Sequence, residues 1–277
     1  MIDRVDETVP EAPGNSPKQH PLTKRPGLAA AIGMIVLYFL LQGISGFLVA
    51  LAIGIAGGFI HPMSAAGHIG TELRDMLAQP GMQALTVTLT LAFAGLLTVL
   101  LAWRKWPVLW SQPAPPGLGF SRPASPLYFF LAIALGLAAP LLGGLLTQLL
   151  ADGHRVTQDI QQLGAQTPLQ WRIPLVLMVG GFGPLVEELL FRGVLLSALL
   201  QRWRVGWAIA VSSLLFALAH LPGLQYQWYA LPDLLLLAVG LAWLRLRSGS
   251  IWPSVLAHST NNLLAVVTWF VVIKTGS

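Results

Sequence analysis

Residues 28–60, LAAAIGMIVLYFLLQGISGFLVALAIGIAGGFI, run from end to end without one charged side chain. About 20 consecutive apolar residues cross the hydrocarbon core of a bilayer, where every backbone N–H and C=O must be paired within the segment. A run of this length therefore commits the chain to helix. It is too long for the apolar core of a cleavable signal, so it reads as a retained span that is tilted or emerges on the far side. The same criterion finds helices near 83–103, 127–150, 172–202, 205–221, 231–247 and 251–273. The expected fold is all-α: a polytopic helical membrane protein with about seven transmembrane helices, or eight if 172–202 divides at Pro184.

The rest of the chain agrees with a membrane setting. Charged residues are 10% of the total, against roughly 25% in soluble domains. Residues 1–27 are polar, hold five prolines and read as a flexible cytosolic tail. The N-terminal helices occupy 28–150, with a proline-rich loop at 104–126. A polar loop, 151–171, with room for a short helix, leads to a second membrane unit, 170–273. No internal repeat or low-complexity tract is present.

Positive charge orients the spans. With the N-terminus inside, eleven Lys and Arg fall on the inner side (Arg4, Lys18, Lys24, Arg25, Arg104, Lys105, Arg122, Arg202, Arg204, Arg245 and Arg247) and four outside (Arg74, Arg155, Arg172 and Lys274). That bias favours a cytoplasmic N-terminus and a single crossing for 172–202. It also accounts for the basic balance, 16 Lys and Arg against 11 acids. No basic run is interleaved with aromatics as a nucleic-acid groove requires, so the expected partners are the bilayer and a membrane-anchored protein or peptide, not nucleic acid. The absence of cysteine excludes disulfides, thiolate metal sites and a cysteine nucleophile.

Nine of the eleven acids lie in the tail, in loops or at a helix end; only Glu187 and Glu188 sit well inside a span. A charge there costs at least about 2.5–3.5 kcal/mol, so function is the first hypothesis and a buried ion pair between helices is the competing one. Helix geometry separates the two glutamates. Glu188 and Arg192 are four apart with the acid first, the favourable order for an intrahelical pair. Glu187 lies about 100° around the helix and is left to act as a general base.

Later spans supply partners. FALAH places Phe216 and His220 on one helix face, and HSTNN does the same for His258 and Asn262. The remaining histidines, His20, His61, His68 and His154, fall in the tail or loops. A lone intramembrane histidine is commonly a packing residue, but this set on three helices suits one polar cavity if the helices meet. Counted from Arg204 and Arg247, His220 falls about five residues deeper than His258, so for the two to meet either the fifth span is broken or tilted or the span boundaries differ from these.

EELLFR (187–192), FALAH (216–220) and HSTNN (258–262), in that order, resemble the E-E-x-x-x-R, F-x-x-x-H and H-x-x-x-N motifs of the CAAX protease and bacteriocin-processing (CPBP, or Abi) family of intramembrane proteases. The segment RLRSGSIWPSVLAH is similar to the one leading into that family's last motif, and the resemblance covers roughly 170–270. It implies a CPBP-type intramembrane endopeptidase in which Glu187 and His220 activate a water, while His258 and Asn262 stabilise the oxyanion. It makes Glu188, Arg192 and Phe216 supporting residues. The implied setting is multi-pass, in the plasma membrane of a prokaryote.

Several readings compete with this one. The residues Glu187, His220 and His258 also suit a catalytic zinc, but the helix signature H-E-x-x-H is missing. An asparagine one turn after His258 suits an oxyanion donor better, so a cofactor-free glutamate mechanism is favoured over zinc. Ser212 and Ser213 lack a glycine-flanked loop and read as close-packing residues, not nucleophiles. Trp103, Trp106, Trp203 and Trp252 fall near helix ends as an aromatic belt. Gly180, Gly181, Gly183 and Pro184 either permit close helix contact or kink the chain beside a cavity. A proton-coupled transporter would also use intramembrane Glu and His, although no inverted repeat or pair of broken helices is present. A non-proteolytic scaffold or immunity protein would not need every motif residue.

Overall fold

The computed structural model describes residues 25–60, 69–154, 156 and 158–271. The expected tail, apart from its last three residues, and the loop histidines His20, His61 and His68 lie outside them. Among the described residues nine helices form: α1 (Leu28–Ile60), α2 (Ile69–Ala78), α3 (Pro80–Lys105), α4 (Leu127–Ala151), α5 (Asp159–Gln166), α6 (Leu169–Leu200), α7 (Val205–Ala219), α8 (Leu231–Ser248) and α9 (Trp252–Val271). No strand occurs among the described residues. The protein is an all-α, multi-pass integral membrane protein.

All seven expected segments are helical, and α6 runs through Pro184 without dividing. Among the described residues five helices are long and apolar enough to cross a membrane: α1, α3, α4, α6 and the segment Trp228–Ser248 that contains α8. Helix α7 has 15 residues, about 22 Å at helical rise, less than the ~30 Å hydrocarbon core. It ends where the site begins. Between spans, α2 and α5 are short helices, and only α5 falls where one was anticipated.

The outer helices bury small residues and expose large ones. In α4 the buried stripe is Ala132, Gly136, Ala139, Gly143, Thr147 and Ala151, at helical spacing. Its large side chains face outward, with Phe130 70% and Leu149 80% exposed. An apolar surface of that extent would drive aggregation in water, but against lipid tails it is matched. Between helices the attraction is then mostly close packing, which small residues permit. A Cβ at Gly136 would stand 2.5 Å from the Ala257 carbonyl oxygen and 2.6 Å from Thr260 Cβ. Gly136→Ala should therefore push α4 off α9 and destabilise the protein by about 1–3 kcal/mol, the range for overpacking. Thermal inactivation of the detergent-solubilised protein measures it; an unchanged midpoint would mean that the crossing yields freely.

Helix α6 is the opposite case. Of its apolar window 44% is buried, twice the 22% of α1, α3 or α4. From Leu189 to Leu199 every residue is buried, as expected of a helix surrounded by protein. Helices α1, α3, α7, α8 and α9 all pack on it, which is why the motif residues on α6, α7 and α9 can share one place.

The proline-rich loop is pinned to this bundle. Arg245, fully buried on α8, donates from Nη1 to the Pro113 carbonyl (2.7 Å) and from Nη2 to that of Gly117 (2.6 Å). Gly119 has φ +83° and a Cβ there would lie 2.6 Å from Arg245 Cζ, so backbone and guanidinium both require glycine. Arg172 is likewise internal, donating to the carbonyls of Thr167, Ala165 and Trp269. These two arginines hold protein carbonyls instead of lying free beside the membrane. Discounting one from each side leaves the charge bias in the same direction.

Candidate active site

Glu187 and Glu188 occupy the short α-helical stretch Gly183–Glu188 of α6, between two π-helical turns, Met178–Phe182 and Leu189–Leu195. The sequence accounts for the first. Gly183 N–H bonds to the Met178 carbonyl, five residues back, and Pro184, next in that register, has no N–H for Val179. The Val179 carbonyl instead accepts from Asn262 Nδ2 at 2.9 Å. In the second wide turn, the Phe191 carbonyl accepts from Ser212 Oγ at 3.1 Å. The first π turn thus hands a carbonyl to a neighbouring helix, the second shares one between its own Leu196 N–H and Ser212, and Ser212 has a bonding and packing role.

The two glutamates have different surroundings. Glu188 and Arg192 are fully buried and joined at 2.9 Å, Arg192 Nη1 to Glu188 Oε1. Arg192 also donates from Nη2 to the Ala238 carbonyl (3.1 Å) and lies 4.3 Å over the Phe216 ring. His258 Nδ1 meets the same Glu188 oxygen at 2.9 Å. Glu187 makes no contact with Arg192 of this kind. Its Oε2 faces His220 Nε2 at 3.4 Å and His258 Nε2 at 3.7 Å.

The histidines are oriented by their other nitrogens. His220 caps the end of α7, and its Nδ1 lies 2.8 Å from the Phe216 carbonyl, an acceptor, so that nitrogen carries the proton. By the same reasoning His258 donates Nδ1–H to Glu188. Both Nε2 atoms are then free to face Glu187 and the cavity. Phe216, fully buried, is the shared surface: its ring stands 4.5 Å from that of His220, 5.5 Å from His258 and 5.2 Å from Phe191. The expected depth mismatch does not keep the two histidines apart, since both Nε2 atoms face the same Glu187 oxygen.

Glu187, His220, His258 and Asn262 line one cavity of about 1000 Å³. Glu187 is 24% exposed to it, against none for Glu188. Gly183 also lines it, while a Cβ at Gly180 would meet Leu263 at 2.6 Å. Close helix contact, one of the two expectations for that glycine cluster, is thus met at Gly180. Three groups of wall residues had no role in the sequence reading. Gln42 comes from α1, Gln83 and Thr86 from α3, and Asp233 from α8. Glutamines inside otherwise apolar helices were the available signal, since a polar group at membrane depth seldom faces lipid. His154 stays outside the site, its Nδ1 2.6 Å from the Ala151 carbonyl.

The helices thus bring a Glu–His–Arg network to the wall of one cavity. Residues 169–264 match the family model described as type II CAAX prenyl endopeptidase Rce1-like. The match spans α6 to most of α9, about a third of the chain, and contains every motif residue named above. Over those residues the chain is similar to CAAX-type prenyl endopeptidases. Comparisons with curated proteins and with solved structures give no match.

Proposed function

We propose that the protein hydrolyses a peptide bond of a membrane-anchored protein or peptide, near the cytosolic side, with Glu187 as base for the attacking water. The observation that carries this is the division of the two carboxylates. Glu188 is held by Arg192 and His258, whereas Glu187 faces the cavity between two imidazole nitrogens. A water seated there donates one O–H to Glu187 and the other to His220 Nε2. Loss of its proton to Glu187 as it attacks the carbonyl forms the tetrahedral intermediate, and the same carboxyl then protonates the departing amine. Glu188 holds the His258 ring through Nδ1 and so turns Nε2 to the cavity, where His258 and Asn262 together stabilise the oxyanion. Asn262 has a second amide N–H for the same oxygen, since only one is used on Val179.

Zinc held by Glu187, His220 and His258 is the alternative. Among the described residues no group of three or more His, Asp or Glu side chains is arranged to hold a metal ion, so no step is routed through one. Orientation follows the charge bias, with the N-terminus in the cytosol.

The test uses the purified full-length protein in liposomes with membrane-anchored peptides. Cleavage at an unchanged rate in a strong chelator is expected. Activity lost to the chelator and restored by zinc alone would overturn the metal-free mechanism. Ion flux through the wild type with no peptide cut would overturn the protease reading in favour of transport, and neither activity would favour a scaffold.

A further inference from the structure

Asp233 stands in the first turn of α8 and lines the same cavity as Glu187, His220 and His258. Its carboxylate is seated against α4 at Gly143, where a Cβ would fall 1.8 Å from Oδ1. Any larger residue at 143 would evict it. The carboxylate has no hydrogen-bond or ion-pair partner among the described residues, although it is only half-buried and open to the cavity. The other acid on this part of the wall, Asp159, differs in that it accepts from Gln225 Nε2 at 2.9 Å.

The lining as a whole has one sign. Among the described residues it contains Asp159, Glu187 and Asp233 and neither lysine nor arginine. An anionic group held beside apolar walls, without a counter-charge from its own protein, raises its energy until a cation arrives. A structural carboxylate at a helix start interacts with the helix dipole and needs no room on the cavity side. Asp233 has that room, made by a glycine on a different helix.

We propose that Asp233 is a substrate-binding residue, its carboxylate receiving a lysine or arginine side chain of the peptide that enters the cavity. The proposal rests on the protease reading above and adds the charge that the substrate carries. It makes the cavity selective: a cationic peptide gains a desolvated ion pair, and an acidic one meets repulsion.

The experiment takes full-length protein in liposomes and a pool of membrane-anchored peptides randomised around a central segment, with new termini read by mass spectrometry. Wild type should enrich Lys or Arg at a fixed offset from the cut. A matched pair of peptides, differing only by Lys or Ala at that offset, then gives a ratio of kcat/KM. This ratio does not depend on how much of a variant folds. Asp233→Asn should lower it by at least about tenfold, the order expected for losing one partner of a desolvated charge pair. Asp233→Lys should move the preference to a peptide with Glu there. A Lys-to-Ala ratio that is the same in wild type and both variants would overturn the assignment while leaving the protease reading intact. Cuts with no charge preference in wild type would do the same. Failure of wild type to cut any peptide would overturn the protease reading itself.

Discussion

Glu187→Gln should abolish peptide cleavage, lowering kcat by about 10²–10⁴-fold, the usual contribution of a positioned acid–base group. The amide is nearly the same size and still faces His220 and His258, but it cannot take a proton from water. Substrate binding should persist, so the loss belongs in kcat with little change in KM. Stability should change little, because Glu187 is the glutamate that Arg192 does not hold. Single-turnover cleavage of an anchored peptide measures the loss, and a protein-wide comparison of new termini between wild type and variant would identify natural substrates. Activity within tenfold of wild type would remove Glu187 from the reaction.

The second large effect is on the fold. Arg192→Met should destabilise the protein by about 3–5 kcal/mol, because it leaves Glu188 as a buried charge without its principal partner. The side chain does more than pair: it also satisfies the Ala238 carbonyl and lies on Phe216, the ring that both histidines touch. Arg192→Lys should recover only part of this, since an ammonium lacks the planar fork that reaches Glu188 and Ala238 together. Combining Arg192→Met with Glu188→Gln should be less damaging than Arg192→Met alone, the orphaned charge being gone. Midpoints of thermal inactivation in detergent compare the three. Equal midpoints for wild type and Arg192→Met would show that the pair contributes nothing to stability.

Much of this was legible in the sequence because the membrane makes the code strict. Apolar runs mark the helices, and the four-residue spacing of Glu188 and Arg192 separates the two carboxylates. Chain order cannot say which helix ends early. That His220 reaches Glu187 depends on how α7 crosses α6 and on Phe216 standing against both rings. The pairing of His258 with Glu188 was equally hidden: spacing places His258 and Asn262 on one face but not which atoms that face meets. Asp233 was counted among acids at helix ends, since its position looks like a helix start until Gly143 is seen across from it.

The two wide turns of α6 have a bearing on how this helix can change. A π turn holds one more residue than the α turn it replaces, so everything beyond it is rotated relative to an unbroken helix. The six residues between the turns are therefore out of phase with the segments on either side, which keep their own packing faces. Removing one residue from the three between Glu188 and Arg192, Leu189–Phe191, would swing Arg192 relative to Glu188 by about 100° while the helix itself stayed intact. In this design catalytic register is an angular setting, adjustable by a single insertion or deletion, and separate from whether the bundle assembles.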